Sequence, residues 1–283
     1  MLDMDILEDA MNEVAGGKRI PYLGPEVAAL SGTGAPTTPA ALCAIIESQV
    51  RAPRRASGNL WSVAQYVESR KFRATLNDMV ARAFDVGPDM TPDMTPGANP
   101  VHDWLARVRP PMIVDAWYDD GLLRAFGSKP DWGWVQGVSR NGEWIEIWTR
   151  AYDASGDLVD DASPDWPTLI YKPHGLARKG SSYLMSDSDY VEVLTEIDIQ
   201  TPIPEEVRRR RTGRGFLFLG CRFDDQMLRI FARQISKRSG GAHIAVLPGK
   251  LTRMEQRFLD DNHIHRLDLP VSAVAELLTV PEG

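Results

Sequence analysis

The sequence of 283 residues holds only two cysteines, Cys43 and Cys221. Two thiols exclude a zinc site built from four cysteines, and they exclude the dense disulfide framework of small secreted domains. No apolar stretch approaches the ~20 residues that a membrane-spanning helix needs. The start of the chain, MLDMDILEDAMNEV, is acidic and amphipathic, unlike a signal or transit peptide. We therefore expect a cytoplasmic protein that holds no zinc or other metal and does not enter a membrane.

An excess of positive charge is missing as well, because 39 Asp and Glu residues outnumber 32 Lys and Arg residues. The formal net charge of −7 argues against nucleic acid as the main partner. One run of four arginines occupies residues 208–211. We interpret it as a solvated helix end or loop rather than as a binding patch.

The sequence does contain enough apolar residues, 43%, to bury the core of one large α/β domain. Short apolar runs typical of buried strands occur at 19–24, 111–114, 167–173, 215–220, 242–247 and 264–267. Helical periodicity occurs before residue 16 and at about 39–46, 59–84, 100–107, 187–196, 224–237 and 251–261. This alternation predicts an α/β fold with a Rossmann-like, mostly parallel sheet and helices on both faces.

Two segments interrupt the alternation. We expect a single domain over 1–283 with a helical insert at about 38–107 and a hairpin insert at about 130–152. Asp-Met-Thr-Pro occurs twice in tandem at 89–96, which predicts a surface loop. The second insert holds four of the eight tryptophans, and its Asn141-Gly142 pair between apolar runs is a strong hairpin signal. A Trp-rich antiparallel hairpin beside the main sheet either fills a small core or offers a surface to a protein partner or a second copy.

Five loops follow predicted strands and are candidates for one ligand cleft, because open α/β sheets bind ligands at the carboxyl ends of their strands. They are 24–36, 115–120, 174–178, 220–225 and 247–250. The turn Gly24-Pro25-Glu26 is either a phosphate site or an ordinary strand-to-helix turn. The run 169–173 closes in His174-Gly175. This pair either brings an imidazole to the cleft or belongs to a core histidine.

Four motifs along the chain follow one another in a specific order. They are Gly24-Pro25-Glu26 with Gly34-Ala35-Pro36, Asp115-Ala116-Trp117-Tyr118-Asp119, Lys172-Pro173-His174-Gly175 with Ser186-Asp187-Ser188-Asp189-Tyr190, and Gly220 with Asp225. Their order and spacing resemble the sirtuin-like family, the NAD-dependent silent-information-regulator type, over nearly the whole chain. The resemblance implies a Rossmann-type fold that handles NAD.

The resemblance also implies a set of site residues. Those expected to bind the cofactor are Gly24, Pro25, Glu26, Pro36, Trp117, Tyr118, Asp119, Gly175, Gly220, Cys221 and Asp225. His174 would act as general base toward a ribose hydroxyl. Asp115 would stabilise an oxocarbenium-like centre, and Trp117 would stack on nicotinamide. For these last two residues the alternatives are a helix cap and a core aromatic.

The sequence departs from the family pattern in three respects. Trp117 stands at the family's asparagine, and an indole has one donor and no acceptor with which to replace an amide. Glu26 stands at the second glycine, where a carboxylate about 5 Å from a phosphate charge costs roughly 3 kcal/mol. The zinc ribbon of protein-deacylating members is absent from the sequence, since two cysteines cannot build it.

Three functions remain open at this point. The resemblance implies NAD hydrolysis, which cleaves the nicotinamide–ribose bond, or related deacylase-type chemistry. The alternative is a catalytically degenerate protein that binds NAD or ADP-ribose as a regulatory or sensor component. A structural assembly component that uses the Trp-rich hairpin is the third option.

Overall fold

The computed structural model describes residues 3–85, 98–140, 147–196 and 203–279. Nine strands within these ranges form a single sheet. In chain order they are β1 (Arg19–Leu23), β2 (Met112–Asp115), β3 (Trp132–Gly137), β4 (Thr149–Asp153), β5 (Leu158–Val159), β6 (Thr168–Lys172), β7 (Gly215–Leu219), β8 (His243–Val246) and β9 (Ile264–Leu267). Across the sheet the order is β5-β4-β3-β6-β2-β1-β7-β8-β9. The strands from β3 to β9 in this order run parallel, whereas β4 and β5 extend the β3 edge with antiparallel pairing.

Helices connect the strands and cover the sheet. They are α1 (Asp3–Ala15), α2 (Pro39–Glu47), α3 (Leu60–Lys71), α4 (Arg73–Phe84), α5 (Pro100–Val108), α6 (Gly121–Phe126), α7 (Asp187–Glu196), α8 (Glu205–Arg211), α9 (Gln226–Ser236), α10 (Arg253–Asp261) and α11 (Ser272–Thr279). A short 3-10 helix, Pro25–Ser31, follows β1 directly. None of the helices in the described part of the chain is long and apolar enough to cross a membrane.

The core lies on both faces of the sheet, as β7 illustrates. Phe216 and Phe218 belong to one hydrophobic cluster, whereas Leu217 and Leu219 belong to a second cluster. Because successive side chains of a strand point to opposite faces, a strand that is apolar throughout needs cover on both sides. The predicted Rossmann-like α/β fold is therefore confirmed.

The centre of the sheet places two loops where a ligand can bind. β1 lies between β2 and β7, and Leu23 is level with Asp115 on one side and with Leu219 on the other. The strand order reverses direction here, because β2 follows on one side of β1 and β7, β8 and β9 follow on the other. Such a topological switch point is the usual ligand crevice of open α/β sheets.

The predicted helical block before β2 is present, with one break. The segment expected as one block at 59–84 forms two helices, α3 and α4, because Phe72 between them adopts a φ of 71°. Asn59 begins α3 by accepting a hydrogen bond from the backbone N–H of Ser62 at 2.9 Å. The tandem Asp-Met-Thr-Pro repeat at 89–96 lies outside the described residues.

The Trp-rich segment differs from the prediction in its position. β3 pairs antiparallel with β4 as expected, but β3 also pairs in parallel with β6 and is a strand of the main sheet. The predicted antiparallel pairing is therefore confirmed, whereas its predicted position beside the main sheet is wrong. Trp132 and Trp134 are buried, with Trp132 5.3 Å from the ring of Phe126 and Trp134 stacked 4.3 Å from Tyr152. The turn at 141–142 and Trp144 lie outside the described residues.

Two smaller differences concern polar segments. Residues 156–161, for which the sequence predicts no strand, contain the short strand β5. Of the arginine run, Arg210 and Arg211 are buried, so their interpretation as solvated residues is wrong. Their guanidinium groups donate to backbone carbonyls, from Arg210 to Pro111 at 2.7 Å and from Arg211 to Ile235 at 2.7 Å. They join α8 to the sheet and to α9.

Candidate functional site

Two cavities lie at the carboxyl edge of the sheet. The first, the switch-point cleft, measures about 370 Å³ and is formed by the loops after β1 and β7 and the starts of α2 and α3. Its lining includes Pro25, Glu26, Trp61, Gly220, Arg222 and Asp225. The second, the α4 cleft, measures about 430 Å³ and lies between α4 and the loops after β2 and β6. Its lining includes Phe84, Asp119, Asp120, Leu176 and Arg178.

The prediction that all these loops converge on one crevice is wrong, because aromatic side chains fill the space between the two cavities. This aromatic wall consists of Trp61, Phe84, Trp117, Tyr118, His174 and Tyr190. At one end Trp61 lines the switch-point cleft and lies 4.9 Å from the ring of Tyr190. At the other end Phe84 lines the α4 cleft and lies 6.0 Å from the ring of Tyr118. Ring contacts therefore run from one cavity to the other.

His174 lies inside the aromatic wall and lines neither cavity. The residue is only 1% exposed, so the expectation that its ring faces the cleft is wrong. Nδ1 lies 2.8 Å from the Tyr190 hydroxyl, whereas Nε2 is buried without a hydrogen-bond partner among the described residues. Burial, helped by the positive charge of Lys172, lowers the pKa of His174 to about 3. The imidazole is therefore neutral at pH 7.

One arrangement of protons satisfies all the hydroxyl contacts of the wall. The Tyr118 hydroxyl donates to the Leu184 carbonyl at 2.7 Å, and it lies 3.1 Å from the Tyr190 hydroxyl. Since each hydroxyl has one proton, Tyr190 donates to Tyr118 and then accepts from His174. This series of hydrogen bonds assigns the proton of the imidazole to Nδ1. Nε2 is consequently a buried acceptor that no donor of the described residues reaches.

Trp117 fills the place where the sirtuin-like pattern has asparagine. Its ring is 2% exposed and packs 5.1 Å from Tyr118. The indole Nε1–H donates to the carbonyl of Pro36 at 2.8 Å, so its single donor is used within the protein. The proposed stacking on nicotinamide needs an accessible face, and this ring has none. The alternative of a core aromatic therefore describes the position of Trp117.

Asp115 takes part in a buried ion pair at the ends of β2 and β6. Its Oδ2 lies 2.5 Å from Nζ of Lys172, which is fully buried and also donates to the carbonyl of Asp119 at 2.9 Å. Burial raises the pKa of Asp115 to about 6, although the Lys172 ammonium opposes this shift. Asp115 lines neither cavity. Its predicted catalytic role stays a prediction, and so does that of His174.

The glycine turn after β1 packs against the loop after β7. A side chain at Gly24 would overlap the carbonyl of Gly220 and approach Sγ of Cys221 to 2.7 Å. The N–H of Gly24 donates to Leu219 at 2.8 Å, and that of Glu26 donates to Gly220 at 3.2 Å. The glycine at position 24 is therefore required by close contact between two strand ends. Two backbone donors that the prediction assigned to a phosphate are already used.

Other predicted ligand residues have structural contacts. Gly175 adopts a φ of 87°, and a Cβ there would lie 2.6 Å from Cβ of Tyr183. Cys221 is buried, which raises the pKa of its thiol. Asp119 lines the α4 cleft and accepts from the N–H of Gly121 at 2.8 Å. Of the residues predicted to bind the cofactor, four line the switch-point cleft, namely Pro25, Glu26, Gly220 and Asp225.

Most lining residues of the switch-point cleft are absent from the predicted site residues, and Trp61 and Arg222 are two examples. Trp61 belongs to the helical block before β2, and packing of α3 against α2, α4 and α7 places it at the cleft. Arg222 lies inside the predicted loop 220–225, but its guanidinium is fixed by Glu255 of α10, with an N–O distance of 2.9 Å. Periodicity along the chain carries no signal for such distant contacts.

The residues of the switch-point cleft do not fit the pyrophosphate of a dinucleotide. Glu26 is half-buried with a pKa raised mainly by burial, and Asp224 and Asp225 add two further carboxyl groups. The single cation among these lining residues, Arg222, is already paired with Glu255. Among the described residues there is also no group of three or more His, Cys, Asp or Glu side chains that could hold a metal ion.

Comparison with models of protein families identifies a family for this chain. The family model described as SIR2-like domain matches residues 111–267, more than half of the chain, from just before β2 to the end of β9. The matched region contains the aromatic wall residues Trp117, Tyr118, His174 and Tyr190, whereas the turn at Glu26 precedes it. No curated protein matches the chain.

Proposed function

Because the chain belongs to the SIR2-like family, we propose that it binds an NAD-related ligand in the switch-point cleft without cleaving the nicotinamide–ribose bond. The family relation connects the chain with NAD in general terms. One observation supports the proposal that the nicotinamide–ribose bond is not cleaved. The imidazole of His174 is enclosed by the aromatic wall and hydrogen-bonded to Tyr190, while Trp117 occupies the asparagine position.

Acid–base geometry supports this proposal. A general base must come within about 2.6–3.2 Å of the proton that it removes, directly or through one water. Trp61 and Tyr190 stand between His174 and the switch-point cleft. A pKa near 3 also makes the imidazole a weak base for a ribose hydroxyl. The cleft can therefore hold a ligand that the imidazole does not reach.

NAD hydrolysis is a second candidate, because a single observation favours it. Nε2 of His174 is an unprotonated, buried acceptor without a donor, which is the form that a base has before it takes a proton. Rotation of Trp61 or Tyr190 would be needed to bring a ribose hydroxyl to this atom. Deacylation of proteins receives no comparable support, since two cysteines cannot build a four-cysteine zinc ribbon.

Nicotinamide release separates the two candidates. The purified chain is incubated with NAD, and free nicotinamide is measured alongside ligand-induced thermal stabilisation. The proposal expects no nicotinamide above the blank, together with stabilisation by an NAD-related ligand. A ligand at one hundred times its Kd adds about 2.7 kcal/mol to the free energy of unfolding. Nicotinamide release that His174→Asn abolishes, in a variant that still binds the ligand, would establish hydrolysis instead.

We also propose that residues 1–283 form one domain with a helical insert at about 38–107 and a hairpin insert at about 130–152. The support is that strands from β1 to β9 all share one sheet, so no boundary divides it. A partner or second copy at the Trp-rich segment remains a prediction. Burial of Trp132 and Trp134 removes two of the tryptophans from any such surface.

A further inference from the structure

The switch-point cleft carries carboxyl oxygens that accept no hydrogen bond from the described part of the chain. The side chain of Glu26 is half-buried and makes no hydrogen bond or ion pair with any described residue. Burial raises the pKa of this carboxyl, although the nearby charge of Arg222 opposes the shift. Asp225 uses Oδ1 to cap α9, accepting from Met227 at 2.7 Å, whereas Oδ2 has no partner in the described part of the chain. These oxygens line the cavity as free hydrogen-bond acceptors.

The cation among the lining residues of this cavity, Arg222, already has partners within the protein. Arg222 donates to both Glu255, at 3.0 Å, and the Pro248 carbonyl, at 3.0 Å. Glu255 is fully buried, so this pair is held in a fixed position with little charge left for an anion. The cleft is therefore rich in acceptors and poor in free cations.

Three helices begin at the cleft, and a side chain caps the start of each. Thr38 accepts from Ala41 at 3.0 Å at the start of α2, and Asn59 accepts from Ser62 at 2.9 Å at the start of α3. Asp225 caps α9 in the same way. Helix N-termini bind anions through free N–H groups, so capping by side chains removes part of that affinity.

From this distribution we infer that the cleft takes a nucleoside, recognised through its ribose hydroxyls, and rejects the diphosphate of a dinucleotide. The inference rests on the proposed function and names its ligand class. Vicinal hydroxyls donate hydrogen bonds that Glu26 and Asp225 can accept, as acidic residues do for ribose in Rossmann folds. Leu60, Trp61 and Leu228 supply apolar lining for a base. The volume of about 370 Å³ lies at the small end of the range for ligand pockets, roughly 300–1,000 Å³.

The test compares adenosine, ADP and ADP-ribose by titration calorimetry on the full chain at fixed ionic strength. A carboxylate about 5 Å from a phosphate charge weakens binding by about a hundredfold at an effective dielectric constant near 20. We therefore expect adenosine to bind at least about tenfold more tightly than ADP or ADP-ribose, after allowance for screening by salt. Higher salt should strengthen ADP binding and leave adenosine unchanged.

Variants of the acceptors sharpen the test. Glu26→Gln should weaken adenosine binding by about tenfold, because a hydrogen bond to a charged acceptor is replaced by a neutral one. The same change should reduce the difference between adenosine and ADP. Asp225→Asn should act likewise while keeping the helix cap, since asparagine caps as well as aspartate. Glu8→Gln, an exposed change on α1, is the matched control and should alter neither ligand.

The outcomes separate this inference from the proposed function. Tighter binding of ADP or ADP-ribose than of adenosine would overturn the nucleoside inference and leave a nucleotide-binding function standing. Absence of binding for all three ligands would overturn the proposed function itself. Adenosine affinity unchanged by both acceptor variants would show that the carboxyl groups do not recognise the ribose, which also overturns the inference.

Discussion

The substitution His174→Phe tests whether the imidazole is enclosed in the folded protein. Phenylalanine keeps an aromatic ring among Tyr118, Tyr190 and Phe231, whose rings lie 4.8–6.2 Å from the imidazole. It removes both ring nitrogens and therefore the proton-binding site. The hydroxyl of Tyr190 keeps its contact with Tyr118 at 3.1 Å. The variant should thus fold and differ from wild type mainly in how its stability responds to pH.

The expected magnitude follows from the two pKa values of His174. The pKa is about 6.5 in an unfolded chain and about 3 in the folded protein. Between these values the unfolded state binds a proton that the folded state does not, so stability falls as the pH is lowered. The folded state accommodates only the neutral imidazole, so His174 costs no stability above pH 6.5. As the pH falls from 6.5 toward 3, protonation of the unfolded chain lowers the free energy of unfolding. From pH 7 to pH 5 this loss amounts to about 2 kcal/mol.

Urea unfolding of wild type and His174→Phe at pH 7 and pH 5 measures this difference. Wild type should lose about 2 kcal/mol more than the variant between the two pH values, with equal m-values. His102, whose pKa is lowered to about 4 mainly by burial, contributes equally to both proteins and cancels. An equal loss in the two proteins would refute the enclosed position, because the imidazole would then bind its proton in the folded state.

Three further substitutions test other parts of the site. Gly24→Ala should destabilise the protein by roughly 1–3 kcal/mol, because the new Cβ would lie 2.7 Å from Sγ of Cys221. Gly16→Ala is the control and should leave Tm unchanged, because the nearest atom to its Cβ would be the carbonyl oxygen of Asn12 at 3.4 Å. Lys172→Met should cost roughly 3–5 kcal/mol at pH 7, since Asp115 loses its partner. Denaturant unfolding should show this cost shrinking at pH 5, where the carboxyl is protonated, and adding Asp115→Asn should recover much of it. Glu26→Gln should raise stability at pH 7 by less than about 1 kcal/mol, because a half-buried carboxylate remains partly solvated. A gain of the same size at pH 3.5 would contradict the raised pKa of Glu26, since the carboxyl is then neutral in both states.

The sequence allows the sheet to be predicted because its signal is local. β7, for example, is apolar at every position and bounded by glycines, Gly215 at its start and Gly220 after its end. A central parallel strand needs this pattern on its own, without reference to any other segment. The position of β3 inside the sheet had no such signal, since its pairing with β6 depends on a segment more than 30 residues away.

The surroundings of His174 could not be predicted for the same reason. An apolar strand that ends in His-Gly looks identical whether the ring faces a crevice or the core. The hydroxyl of Tyr190, 16 residues later, accepts the hydrogen bond of the imidazole. Trp61, from the helical block, lies between the imidazole and the switch-point cleft. Glu26 is the opposite case. Because it stands where the family pattern has glycine, the sequence predicted a cleft that binds phosphate weakly. The unpaired carboxyl groups agree with that reasoning.

Within the described part of the chain, every buried polar side-chain atom of the aromatic wall except one has a hydrogen-bond partner. Trp117 gives its proton to Pro36, Tyr118 to Leu184, and the hydroxyl of Tyr190 joins Tyr118 to His174. A purely structural core gains nothing from Nε2, because a buried acceptor without a donor costs about 1–3 kcal/mol. An apolar ring at position 174 would avoid this cost, so the sign of the stability change in His174→Phe at pH 7 is informative by itself. Greater stability would mark His174 as a residue held at the expense of folding, which is the behaviour of a functional group rather than of packing.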